Sequence, residues 1–278
     1  MATPAKTFRL VAMDLDGTLA GPDGVISART RDAIARAQAR GVIVTLVTGR
    51  TLPAVRPKVM ELGLTAPVIL CNGASIYNAN DGHILFRRPI ASTLSRKIIR
   101  FLVQAKLSPV AFVDDGLYSA QTISPNISPR SGLAGMKLHI LGVAFERFAL
   151  APEKIAVIVR ANHARAWVKK LRAETHGKIS LTRPYPTLIE MTHRYASKGR
   201  ALGWLANHLK IPRRQVMAIG DGDNDMDMIQ WAGMGVAMGN APASVRAVSD
   251  YVADSVEVDG LAKVIERFIL DGKCDHDT

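Results

Sequence analysis

The chain has 278 residues, 48% of them hydrophobic and 22% charged, which allows one large globular domain or two with a sizeable core. No apolar run approaches the ~20 residues of a membrane helix, and the start MATPAKTF lacks the apolar stretch of a secretory signal. Cys71 and Cys274 form neither a disulfide framework nor a zinc spacing, so a cytoplasmic protein without a membrane partner is expected. The formal charge of +12 raises nucleic acid as a partner, but residues 85–190 hold 17 Lys and Arg against 6 Asp and Glu, spread along elements and not massed in one block. With 5% aromatic residues there is little to stack bases on, and no nucleic acid is expected.

The periodic part of the chain opens on residues 8–18, FRLVAMDLDGT. Leu10, Val11, Ala12 and Met13 run apolar without alternation, which predicts a short strand buried on both faces of a parallel sheet. The strand stops on Asp14 and Asp16, followed by Gly17 for a tight turn and Thr18, whose hydroxyl can bond the turn backbone. C-terminal strand ends are where open α/β sheets hold ligands. Two carboxylates this close repel unless a cation shares them, and Mg2+ suits one or two carboxylates plus water and phosphate. An acidic turn with no metal is the alternative these residues alone leave open.

Ser27 is a good N-cap for a helix over 28–40, with Ala33, Ile34 and Ala37 on a narrow apolar face and Gly41 as its stop. The β-branched run 42–48, VIVTLVT, predicts the next strand, ending at Thr48-Gly49-Arg50, and strand, helix and strand make the right-handed parallel unit that sets Thr48 beside Asp14. A second crossover, weakened by Pro53 and Pro57, leads to the strand PVILCNGA at 67–74, whose end brings Asn72 to the same edge.

From Ser75 the spacing becomes that of hairpins, one around Asp81-Gly82 and one around Asp115-Gly116. Residues 92–106 form an amphipathic helix with Leu94, Ile98, Phe101 and Leu102 on one face, and 123–135 read as a loop rich in Pro, Ser and Gly. A strand at 154–160, a helix over 164–175 and strands at 178–182 and 187–191 follow. The expected division is a discontinuous core, 1–84 and 191–278, interrupted by an α+β domain at 85–190.

Long crossovers resume at Ser197, which can cap a helix whose face is Ala201, Leu202, Leu205, Ala206 and Leu209, with Pro212 closing it. Lys198 then lies in the first helical turn, where its charge opposes the macrodipole, so an anion nearby would explain it. QVMAIGD is another buried strand closing on acid. As a calcium loop, Asp221, Asp223 and Asp225 match, but Met226 stands where glycine is required and Ala232 where glutamate is required. As the second half of a Mg2+ site the segment works, since Asp221 leaves a strand as Asp14 does, and Asn224 and Asp225 fall at a helix N-terminus. The seven His lack ligand spacing, and Cys71 reads as a small buried side chain. Asp114, Asp115 and Arg50 read as turn and surface charges, Arg50 lying close to the site.

These segments together resemble the haloacid dehalogenase superfamily, in particular its Cof-type phosphatases. The resemblance rests on DLDGT at 14–18, VTGR at 47–50, CNGA at 71–74, SKG at 197–199, GDGDNDMDMI at 220–229 and VAMGNA at 236–241. It spans both core segments; the inserted cap matches in position and length alone, and THRYASKG departs from the glycine frequent just before the lysine motif. The resemblance implies a doubly wound α/β sheet, a Rossmann-like core with an inserted α+β cap, and hydrolysis of a small phosphorylated metabolite such as a sugar phosphate. It implies Asp14 as nucleophile and Asp16 as general acid and base. Mg2+ would be held by Asp14, Asp221 and the Asp16 carbonyl, with Asp225 orienting that shell. Thr48, Gly49, Lys198 and Asn224 would hold the phosphoryl oxygens and Asn72 would contact substrate. A phosphomutase shares the intermediate and stays open, as do, further off, a receiver-like phosphoacceptor and a nucleic-acid binder.

Overall fold

The computed structural model describes residues 8–122 and 136–272; the predicted 123–135 loop and Cys274 lie outside them. The first half of the core runs β1 (Leu10–Met13), α1 (Ala28–Ala39), β2 (Ile43–Leu46), α2 (Leu52–Glu61) and β3 (Val68–Leu70). Ser27 caps α1 by accepting from the Thr30 amide, and its buried face includes Ala33, Ile34 and Ala37 as the spacing predicts. Two short strands follow, β4 (Ser75–Tyr77), which pairs antiparallel with β3, and β5 (Ile84–Arg87), which pairs antiparallel with β4.

The inserted region comprises α3 (Ser92–Gln104), β6 (Val110–Val113), β7 (Gly116–Ser119), β8 (Lys137–Ile140), β9 (Lys154–Ile158), α4 (Ala164–Glu174), β10 (Ile179–Tyr185) and β11 (Leu188–His193). The chain then returns through α5 (Lys198–His208), β12 (Val216–Gly220), α6 (Met226–Trp231), β13 (Met234–Ala237), α7 (Ala243–Arg246), β14 (Tyr251–Val252) and α8 (Gly260–Ile265).

The core sheet has the order β14-β13-β12-β1-β2, all parallel, with β3 joined to its edge through a bridge between Val47 and Ile69. β1 is central and wholly buried, which is why its four residues show no polar alternation. One face packs Val11, Met13, Met217 and Ile219 against α1, α2 and α8; the other packs Leu10, Ala12 and Ala218 against Leu202 and Leu205 of α5 and Met228 of α6. Each such large aliphatic side chain contributes about 1.5–3 kcal/mol on burial. Register sets the site: Met13 pairs with Ile219 and with Leu46, so Asp14, Asp221 and Thr48 all leave the sheet at one edge.

The cap is a six-stranded sheet of order β10-β11-β9-β6-β7-β8, antiparallel except for the β7–β8 pair. α3 and α4 bury one face through Ile98, Ile99, Leu102 and Leu171 against Ile155, Val157, Ile189 and Met191. Three local readings differ from the structure. The second hairpin turns at Asp114-Asp115, with Asp114 left-handed and Gly116 already in β7. PVILCNGA ends as a strand at Leu70. α5 ends before Pro212, at a left-handed Lys210. Among the described residues no helix is long and apolar enough to cross a membrane.

Candidate active site

Asp14, Asp16, Thr48, Gly49, Asn72, Lys198, Asp221, Asn224 and Asp225 all line one cleft of about 1080 Å3 between the core sheet edge and the cap. The Gly17 turn is built for this closeness: its φ is +86°, and a Cβ there would lie 2.3 Å from Asp221 Oδ2. Thr18, expected to bond turn backbone, instead donates from Oγ1 to Asp221 Oδ1 at 2.9 Å. Asn240, unnoticed in the sequence although it lies in VAMGNA, donates from Nδ2 to the Gly17 carbonyl at 2.9 Å and to Asp221 Oδ2 at 3.3 Å.

At the floor lies a buried cluster of charges. Lys198, capped into α5 by Ser197, donates to Asp14 Oδ1 at 2.6 Å and to Asp225 Oδ1 at 2.5 Å. Its anion is thus supplied by the protein itself. Burial opposes the Lys198 charge, but the two carboxylates outweigh it and hold the ammonium above the usual lysine range. Asp225 has both oxygens engaged, since Oδ2 accepts from the amides of Asp221 and Gly222 at 3.0 and 2.8 Å.

Asp14, Asp221 and Asp225 each bring one carboxylate oxygen within 4.8 Å of the others, a group that could hold a metal ion. Burial pushes the Asp14 carboxyl up to about 8; Lys198 draws it down, and Asp225 and Asp221 add repulsion. Burial likewise raises Asp221 to about 6, with repulsion from Asp225 partly offset by the Thr18 hydrogen bond. One lysine is too little positive charge for three carboxylates, and a divalent cation fits what remains.

Asp16 stands apart, exposed at the cleft and gripped by Arg50: Nε donates to Oδ2 at 2.8 Å and Nη2 to Oδ1 at 2.5 Å. Arg50 is therefore a site residue and not a surface charge, a bidentate partner the sequence hinted at only through its place in VTGR. Beside it, Cys71, Asn72 and Gly73 turn through left-handed backbone, with φ of 50°, 55° and 87°. Non-glycine residues in that region cost about 1–3 kcal/mol each, and such strain gathers at functional sites. The turn is tied to the neighbouring loop by Cys71 N to Arg50 O and Asn72 N to Thr48 O, both 3.0 Å. Cys71 is buried as expected, and burial pushes its thiol up to about 12, which leaves it inert.

From the cap, Lys154 and Glu190 reach the same place, neither of them singled out by the sequence. They pair at 2.7 Å, Lys154 Nζ also donates to the Gly49 carbonyl at 3.0 Å, and Glu190 Oε2 accepts from Asn72 Nδ2 at 3.2 Å.

A doubly wound sheet that gathers a lysine and several carboxylates at its strand ends, beneath an inserted α+β cap, defines a capped α/β enzyme with a charged, metal-capable cleft. The family of haloacid dehalogenase-like hydrolases matches residues 11–265, and the chain belongs to it. It is 30% identical over 268 residues to YxeH of Bacillus subtilis (strain 168), covering 95% of this chain and 99% of that protein. It is 29% identical over 263 residues to the 5-amino-6-(5-phospho-D-ribitylamino)uracil phosphatase YcsE of the same organism, covering 95% and 96%. A solved haloacid dehalogenase-like hydrolase from Bacteroides thetaiotaomicron superposes with a TM-score of 0.85 at 27% identity, covering 94% of this chain and 100% of the other.

Proposed function

We propose that the protein is a Mg2+-dependent cytoplasmic phosphatase that hydrolyses a small phosphomonoester through an aspartyl-phosphate on Asp14. The observation that carries this reading is the placement of Asp14 against Lys198 in the floor of a cleft whose mouth holds a second, exposed carboxylate, Asp16. A relative named for a ribityl phosphate ester supports a small phosphorylated substrate. Residues 1–84 and 191–278 carry the chemistry and 85–190 form the cap, with β5 and β11 running across the two junctions.

Asp14 attacks phosphorus as the bond to the leaving oxygen breaks, and Asp16 gives that oxygen its proton. Asp16, now a carboxylate, takes a proton from water, which attacks the acyl-phosphate and frees Asp14. Arg50 must yield its grip for Asp16 to reach the leaving oxygen, since the guanidinium engages both oxygens of the carboxylate. Lys198, Thr48, Gly49 and Asn224 hold the phosphoryl oxygens. Asp14, Asp221 and the Asp16 carbonyl would hold Mg2+, which supplies charge neutralisation between nucleophile and phosphate. Asp225, with both oxygens engaged, orients Lys198 and the Asp221 loop.

Phosphate release from a panel of phosphomonoesters, in Mg2+ and in EDTA, tests the reading. Asp14→Asn is expected to lower kcat by more than ~10³-fold, about 4 kcal/mol of barrier, with the fold retained. Release within ~10-fold of wild type in that variant, or release unaffected by EDTA, would overturn it.

A further inference from the structure

Lys154 and Glu190 are the one ion pair from the cap that reaches the phosphate-holding loops among the described residues, and both side chains are buried, with 1% and 7% exposed. Taking two charges out of water is seldom offset by their attraction, so such a pair is weak as a stabilising device. Its directional contacts are a better account of it. Both residues sit on neighbouring cap strands, β9 and β11, so the pair is complete within the cap; Lys154 Nζ also lies 4.5 Å from the centre of the Phe112 ring. What the pair offers outward is one spare donor and one spare acceptor. The core answers with the reverse, an acceptor at the Gly49 carbonyl and a donor at the Asn72 amide. Asn72 in turn accepts from Asn224 Nδ2 at 3.0 Å, so the contact runs from the loop after β2 to the loop after β12.

We infer that Lys154 and Glu190 form a two-point plug by which the cap fixes its register on the core and, through Gly49 and Asn72, positions the groups that hold the phosphoryl oxygens. They are positioning residues for the reaction, an inference that rests on the phosphatase reading. The plug carries no net charge, so it can leave and re-enter its socket without exposing a lone buried ion. Its donor and acceptor are opposite in sense, so the cap seats in one orientation. Asn72 is held in a left-handed conformation that needs such over-determination.

The exchanged variant Lys154→Glu/Glu190→Lys separates this role from mere cap stability. It keeps the pair inside the cap but sets a carboxylate against the Gly49 carbonyl. We expect its Tm to stay near wild type while kcat falls ~10²-fold, the loss that a displacement of about 1 Å produces, with KM changed less than ~3-fold. Amide hydrogen exchange, read by mass spectrometry without substrate, should rise at 48–50 and 71–73. If the exchanged variant does not fold, Glu190→Gln serves: it keeps an acceptor for Asn72, loses the ion pair, and should lose kcat ~10-fold with the same rise in exchange. Wild-type kcat, or unchanged exchange in both loops, in the folded variant would overturn the inference. A wild type that releases no phosphate from any ester would sink the phosphatase reading, while the exchange measurement still decides the plug.

Discussion

Asp14 and Asp221 are carboxylates whose burial makes their charge costly, and that cost is the handle by which a bound cation would show itself. Their folded values, about 8 and about 6, lie above the 3.8 of a free aspartate, so the metal-free fold binds protons that the unfolded chain gives up. Their contribution to stability therefore falls as pH rises from about 4 towards 8. A divalent cation holds both groups charged and removes that loss, so Mg2+ should raise Tm more at pH 8 than at pH 5. Scanning calorimetry in EDTA and in Mg2+ at the two values checks this, and equal shifts would place the metal elsewhere. The neighbouring acids should separate by readout. Asp221→Ala should weaken Mg2+ affinity with little loss of Tm in EDTA. Asp225→Ala should lower Tm in EDTA, because it strips Lys198 of one partner and leaves the Asp221 and Gly222 amides unsatisfied, each at about 1–3 kcal/mol. Titration calorimetry alongside thermal melts distinguishes the two; equal Mg2+ affinity in wild type and Asp221→Ala would remove Asp221 from the metal set.

Among the elements, the turn after β3 carries the sharpest structural demand. Gly73 has φ +87°, and a Cβ there would lie 2.2 Å from the Ser197 carbonyl, the residue that caps α5 and precedes Lys198. Gly41, after α1, also has positive φ but nothing within 4 Å. Gly41→Ala should therefore cost only the backbone term of about 1 kcal/mol. Gly73→Ala should cost about 2 kcal/mol or more, roughly 4–8 °C in Tm, and lower turnover by moving Lys198. Melts of both variants check this, and equal losses would mean that the contact with Ser197 does not matter. The same turn marks the limit of what sequence can supply. β1 and β12 are legible because a continuous apolar run that ends on acid suits a buried parallel strand and little else, and their pairing through the register places Asp14 and Asp221 together. The turn reads as strand because the apolar run from Val68 to Cys71 outweighs the Asn72-Gly73 turn signal, and Cys71 carries no left-handed signal of its own; tertiary bonds to Arg50 and Thr48 impose that conformation. β8, an edge strand of alternating character with exposed Lys137 and Ile140, leaves no burial pattern to read. Lys154 and Glu190 are invisible for a related reason: each looks like one charge in a strand until two sheets meet.

At the scale of the molecule, the excess positive charge of the cap divides by what it faces. Much of it is satisfied locally: Lys97 pairs with Glu174 at 3.1 Å, Lys170 lies 4.9 Å from the Trp167 ring centre, and Lys154 is neutralised by Glu190. Arg172 and Arg183 are different, since both are exposed and both line the cleft. Arg183 donates to the Pro186 carbonyl at 3.3 Å, which leaves its charge uncompensated, and Arg172 has no ion-pair partner among the described residues. The core floor is rich in carboxylates, so this cap wall is where an anion arriving from solvent meets attraction, and charge at a rim acts chiefly on encounter. The expected result is that kcat/KM falls several-fold as ionic strength rises from 0.01 to 0.15 M, where the screening length drops from ~30 to ~8 Å, while kcat changes little. Substrates bearing a second phosphate or a carboxylate should outrank those with neutral tails. Arg172→Gln/Arg183→Gln should flatten both the salt slope and that preference, whereas Lys97→Gln/Lys170→Gln, which removes as much charge from outside the cleft, should leave them in place. A flat profile in the wild type, or a slope that survives loss of both cleft arginines, would return the charge of the cap to solvation alone.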